Sequence, residues 1–231
     1  IIDFDMKLFI KFIALHFGFN YFESKYHFDI YIKVIFYLII CFYFIFQKRV
    51  KIKTNKVDMN LILKILVPTF LMSVFFNLFI FSLFPDFSTI VNTENYNFNL
   101  FFLTIILLPF FEEFVYRNLL LSYLLNNFSK NKAILYLSFG FTFVHLFSDS
   151  SLFLVFIWSV FISYIYIRTN NFILVFFIHA LNNIIVSFFI AFIMVEMKLY
   201  SFSFFNELIF VLMILFLASL ILLKKEIRKG N

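Results

Sequence analysis

Residues 98–125 are apolar almost throughout, yet Glu112, Glu113 and Arg117 stand in their middle. A run of that length can cross a bilayer as one helix. A charge near the centre of such a helix costs about 2.5–3.5 kcal/mol on insertion scales. Three such charges argue against a lipid-facing position and predict a protein interior or a water-filled cavity. Glu113 and Arg117 are four apart, so they share a helical face and can pair. Glu112 points about 100° away from Glu113 on a regular helix. With no partner on its own helix, Glu112 must find one elsewhere in the chain.

The rest of the sequence fits the same setting. Hydrophobic residues make up 64% of the chain and charged residues 14%, with a mean hydropathy of +1.00. A soluble domain carries about a quarter charged residues. The expected fold is therefore all-α: a polytopic transmembrane helical bundle of about 7–8 spans, with residues 1–231 as a single membrane domain. Residues 6–22 read as a first spanning or interfacial helix, broken by Lys7, Lys11 and His16. Further spans are expected near 29–47, 59–84, 98–125, 133–147, 151–167, 171–195 and 205–223. No small-residue cleavage site follows the first apolar stretch, so no cleavable signal peptide is expected.

The net charge of +6 does not point to nucleic acid, because the basic residues lie at helix ends. If the 48–56 loop is cytosolic, then Lys130, Lys132, Arg168 and the basic tail at 224–229 alternate onto the same side. Lys25 and Lys198 fall outside. This is the pattern of orientation signals and predicts an integral, multi-pass protein with a cytosolic C-terminus; the membrane expected is a bacterial cell membrane. Cys41 is the single cysteine, which excludes a disulfide framework and a zinc ribbon.

Two further polar sites interrupt the apolar spans: His145, and His179 with Asn183 four residues on. Measured along the helices, Glu112 lies about 20 Å from its cytosolic end, His145 about 18 Å and His179 about 12 Å. Three helices thus bring titratable groups into one slab. Structural hydrogen bonding between helices accounts for a lone intramembrane His or Asn, but does not require three titratable groups at one depth. A proton-coupled transporter would use discontinuous helices, which only three glycines and three prolines hardly support. Hydrolysis suits the set. A carboxylate beside an imidazole can hold a water and take its proton, while a His and an Asn donate to a developing oxyanion. Alternatively Glu112, His145 and His179 ligate a divalent metal such as zinc that activates the water. The sequence leaves both open.

These residues resemble the CPBP family of intramembrane proteases, the CAAX proteases and bacteriocin-processing enzymes. Its motifs are Glu-Glu-x-x-x-Arg, Phe-x-x-x-His and His-x-x-x-Asn. They stand here in order as Glu112-Glu113-Phe-Val-Tyr-Arg117, Phe141-Thr-Phe-Val-His145 and His179-Ala-Leu-Asn-Asn183. Arg168-Thr169-Asn170 is similar to the family's lead-in to the third motif. Asn118 stands where members commonly have Gly. The resemblance covers residues 100–190, the expected catalytic core. It implies Glu112 as the base that activates water, His145 as its helper, His179 and Asn183 as the oxyanion hole, Glu113 and Arg117 as orienting residues, and Phe141 packed beside them. It implies peptide or lipidated-protein substrates: prenylated C-a-a-X proteins, secreted peptides or bacteriocins. The rival expectation is a non-catalytic immunity or sensor protein that keeps only the scaffold.

Overall fold

The structure, a computed structural model, describes residues 6–26, 30–48, 52–83, 102–147, 151–190 and 209–221. Residues 84–101, Lys198 and the basic tail at 224–229 lie outside the described residues. Every regular element among those described is helical. They are α1 (Met6–Tyr26), α2 (Ile30–Lys48), α3 (Met59–Leu83), α4 (103–127), α5 (Lys130–Val144), α6 (Leu152–Thr169), α7 (Phe172–Ile184, continued by Ile185–Ile190) and α8 (Ile209–Ile221). The expected all-helical class is observed.

Met59–Phe79 and Leu152–Thr169 are long and apolar enough to cross a membrane, and Tyr31–Cys41, Phe172–Ser187 and Ile209–Ile221 are shorter apolar helices. At 1.5 Å per residue α5 is about 22 Å long, less than the roughly 30 Å of a hydrocarbon core.

The chain divides into two compact units. One contains residues 1–55 and 102–176, the other 56–101 and 177–231. In the first, α5 packs on α6 and against α1, and α2, α5 and α6 pack around α4. Phe17 stacks on Phe143, ring centroids 4.3 Å apart, and Asn20 donates its side-chain amide to the Val144 carbonyl, which fixes α1 against the end of α5. At the same end Lys33 on α2 pairs with Glu23 on α1 at 3.0 Å.

The opposite end of this unit gathers the loops that carry the basic residues. Asn170 closes α6 in the left-handed conformation, φ 46°, which asparagine tolerates at a helix C-terminus. Phe172 donates its backbone N–H to Lys53, and Thr54 pairs with Asn171. The Lys53 ammonium reaches Ser122 at 3.2 Å. The 52–55 segment, the α6–α7 turn and the late part of α4 therefore lie at one end of this unit.

In the second unit, α3 contains Pro68, which has no N–H to give to the preceding turn. Thr69, Ser73 and Asn77 donate their side chains to the carbonyls of Ile65, Thr69 and Ser73, so polar groups are satisfied within the helix itself. Val74, Leu78 and Ile185 form the core of this unit, with Leu181, Ile209 and Leu212 against them.

Candidate active site

Helix α4 departs from the regular helix expected of residues 98–125. Leu103–Leu107 and Phe114–Leu121 are wound as π-helix, with the N–H of Leu108 bonding to the Leu103 carbonyl five residues back. Between them Leu108–Glu113 is α-helical and opens with Pro109 in its first turn. All eight residues of Phe114–Leu121 are buried. The polar ties of two neighbours supply a reason for the wider winding. Arg117 reaches Ser159 on α6, while Asn118 accepts from the Lys53 backbone and the Tyr166 hydroxyl. Such π-turns occur mostly at functional sites.

The pairing expected of Glu113 and Arg117 is present. Glu113 Oε1 lies 3.1 Å from Arg117 Nη1, and neither side chain is exposed at all. Arg117 Nη2 donates to Ser159 Oγ at 3.1 Å. The guanidinium lies 4.7 Å from the centre of the Phe141 ring, a cation–π contact in a desolvated setting. Phe141 thus touches the arginine, and it also stands edge-on to Tyr116 at 4.8 Å. The departure from the family pattern at Asn118 is absorbed by its two hydrogen-bond donors.

Glu112 faces another way. It is buried but retains 9% exposure, and Oε1 lies 3.5 Å from the Tyr37 hydroxyl on α2. That hydroxyl is 2.8 Å from His16 Nε2, and His16 Nδ1 is 2.6 Å from the Tyr116 hydroxyl. Glu112 therefore ends a buried chain running through Tyr37, His16 and Tyr116. The partner expected from elsewhere in the chain includes Tyr37, which the sequence reading did not single out.

His145 lies one residue past the end of α5, with φ −91° and ψ 6°, a sparsely populated backbone region where active-site residues recur. Its Nδ1 is 2.8 Å from the Phe141 carbonyl. A carbonyl only accepts, so Nδ1 carries a proton, and when the imidazole is neutral Nε2 is its acceptor. The ring lies 4.5 Å from that of Phe141. In the first unit, then, one array of rings connects the Arg117 pair, Tyr116 and His145, and the hydrogen-bond chain from Tyr116 leads on to Glu112.

His179 and Asn183 belong to the second unit, on α7. His179 is buried and Asn183 half-buried. Asn183 Oδ1 accepts from Asn182 Nδ2 at 3.3 Å. Asn182 Oδ1 in turn accepts from Ser73 at 2.6 Å. Within either unit, among the described residues, no three His, Cys, Asp or Glu side chains gather as a cation site. Neither donor set fits a metal centre by itself.

Residues 94–185 match the family described as Type II CAAX prenyl endopeptidase Rce1-like. They are an Rce1-like CAAX protease domain. The match takes in all three motifs and the whole of α4, α5 and α6. No curated protein and no solved structure matches the chain. The family is one of integral membrane proteases, which agrees with the two helices long enough to span and with the buried ion pair of α4. The CAAX protease domain was legible in its motifs. Missed were His16 and Tyr37, which lie before the matched segment, and Tyr116, Ser159 and Asn182 inside it. One signal did exist for His16: an ionisable residue within an apolar helix is a functional-site hypothesis by default. Tyrosine gives no comparable signal, because it is common at membrane boundaries.

Proposed function

We propose that this CAAX protease domain is an intramembrane endopeptidase in which Glu112 is the general base. Glu112 and the Nε2 acceptor of His145 hold a water. Glu112 takes one proton as the water oxygen adds to the substrate carbonyl carbon. The electron pair displaced onto the carbonyl oxygen is stabilised by His179 and by Nδ2–H of Asn183. As the C–N bond breaks, Glu112 returns its proton to the leaving nitrogen, and the carboxylate is restored. The observation that carries this reading is the division of the acidic pair. Arg117 neutralises Glu113 in a closed setting, whereas Glu112 keeps some exposure and faces the Tyr37 hydroxyl, which is itself bonded to the His16 imidazole. A prenylated C-a-a-X peptide or a secreted peptide is the substrate class that the family supports.

We further propose that residues 1–231 form one multi-pass membrane domain of 7–8 spans, in a bacterial cell membrane, with the C-terminus cytosolic. Support comes from the basic loops gathered at one end of the first unit. Single cysteines placed at Lys56 and at Lys229 in a Cys41→Ala background are expected to label from the cytosolic side only. Labelling from opposite sides contradicts the topology.

The function is tested by peptide profiling of membranes with and without the protein, beside cleavage of a farnesylated C-a-a-X peptide by the full chain in proteoliposomes. Products are expected with wild type and none with Glu112→Ala. Equal product patterns in the two contradict the endopeptidase reading.

A further inference from the structure

We infer that His16 and Tyr37 are positioning residues for Glu112, acting through a hydrogen-bond chain that fixes the donor facing the carboxylate. The inference rests on the proposed role of Glu112 as base and deepens it. Its parts come from three helices of the same unit: His16 from α1, Tyr37 from α2, and Tyr116 with Glu112 from α4. Both tyrosines and the histidine are essentially inaccessible to solvent. Burial at that level requires their polar atoms to satisfy one another.

The proton inventory has one arrangement that serves the carboxylate. Tyr37 owns a single hydroxyl proton and stands between His16 Nε2 at 2.8 Å and Glu112 Oε1 at 3.5 Å. Ionised Glu112 only accepts, so Tyr37 must donate to it. The Tyr37 oxygen then accepts from Nε2–H of His16. A neutral imidazole with its proton on Nε2 accepts at Nδ1, where the Tyr116 hydroxyl lies 2.6 Å away. Each donor is used once and each points toward Glu112. The opposite tautomer, with Tyr37 donating to Nε2, would turn the Tyr37 proton away from the carboxylate. A donating Tyr116 hydroxyl is compatible with this His16 tautomer, and that tautomer holds the Tyr37 proton on the Glu112 side. A base oriented by a third group is the general design of assisted catalysis.

The packing around the histidine holds this arrangement. His16 stands edge-on to Tyr37 at 5.1 Å and is flanked by Phe12 and Phe36 at 5.9 and 5.8 Å. Phe12 also meets the Tyr116 ring edge-on at 5.7 Å. The Asn20 clamp on Val144 places the same helix beside the backbone that leads into His145. The long Tyr37–Glu112 contact is of the kind that tightens when substrate is bound.

Two measurements test the chain, one of which needs no substrate. In a double-mutant cycle on thermal stability in detergent, Tyr37→Phe and Glu112→Ala are expected to be non-additive by at least about 2 °C in Tm. In cleavage of the farnesylated C-a-a-X peptide, Tyr37→Phe is expected to lower kcat by about 10–100-fold with KM unchanged, as for loss of a partner that orients an active group. His16→Phe should do the same. His16→Gln, which restores an N–H near the Nε2 position, should recover most of kcat. If Tyr37→Phe does not accumulate, Tyr116→Phe replaces it in both measurements, with a smaller loss of kcat expected. Additive Tm losses, or full kcat in Tyr37→Phe beside an inactive Glu112→Gln, overturn the positioning role and leave the proposed base intact. Full activity in Glu112→Gln overturns both.

Discussion

On one side of α4 the Glu113 carboxylate meets Arg117 at 3.1 Å, with Ser159 and the Phe141 ring closing around the guanidinium. On the other, Glu112 faces Tyr37 at 3.5 Å and keeps some accessibility. The two carboxylates are adjacent in sequence and meet different partners. A buried ion pair with short contacts and a ring over the cation is a structural knot: it ties α4, α5 and α6 together and leaves Glu113 committed to its partner. A carboxylate with a long contact to a hydroxyl still has the capacity to receive a proton. The difference arises from helical geometry, because neighbouring residues point about 100° apart and so meet different helices.

The sharpest way to break this contrast is to remove the cation. Arg117→Leu leaves Glu113 buried without its countercharge, which costs about 3–5 kcal/mol when a buried pair is broken from one side. The expected outcome is a large fall in folded protein in the membrane and in Tm, with cleavage falling in parallel. A stable, abundant Arg117→Leu protein contradicts the knot. Phe141→Leu is expected to be milder. It removes a desolvated cation–π contact worth about 2 kcal/mol but keeps the backbone carbonyl that holds His145. Tm should drop while kcat per folded molecule stays near wild type. A selective loss of kcat would move Phe141 from the knot to the chemistry. Smallest is Ser73→Ala, which removes a hydroxyl whose one proton is shared between the Thr69 carbonyl and Asn182, a hydrogen bond worth about 0.5–1.5 kcal/mol. It should lower Tm slightly, and kcat modestly if the Asn182–Asn183 contact orients the proposed oxyanion donor. Detergent thermal melts with expression-normalised cleavage read all three.

How much of this was legible in the sequence depends on the range of the interaction. The Glu113–Arg117 pair could be read because its partners lie four residues apart on one helix. The all-helical class followed from apolar runs too long and too uncharged for a soluble fold. The π-turns around Glu112 and Glu113 could not be read. The polar ties of Phe114–Leu121 run to Ser159, Lys53 and Tyr166, each more than 40 residues away from its partner on α4. The Tyr37–His16–Tyr116 chain was hidden for the same reason, since its links join residues 21, 75 and 100 positions apart. His16 appeared in the sequence as an interruption of an apolar helix. Its role emerges only when two tyrosines from other helices surround it. The proposed oxyanion donors were legible through the spacing of His179 and Asn183, while the Ser73–Asn182 buttress beside Asn183 was not.

The division of labour between the two carboxylates is tested most directly by Glu112→Gln and Glu113→Gln, each assayed for expression-normalised cleavage and for Tm in detergent. Glu112→Gln preserves shape and hydrogen-bonding capacity but removes the proton acceptor. It should remain folded and abundant while turnover falls by about 10²–10⁴, the usual contribution of a general base. Glu113→Gln should lose stability and folded amount, with turnover per folded molecule changed far less. The opposite result, a stable but inactive Glu113→Gln beside a Glu112→Gln that turns over normally, would contradict the account and exchange the roles of the pair.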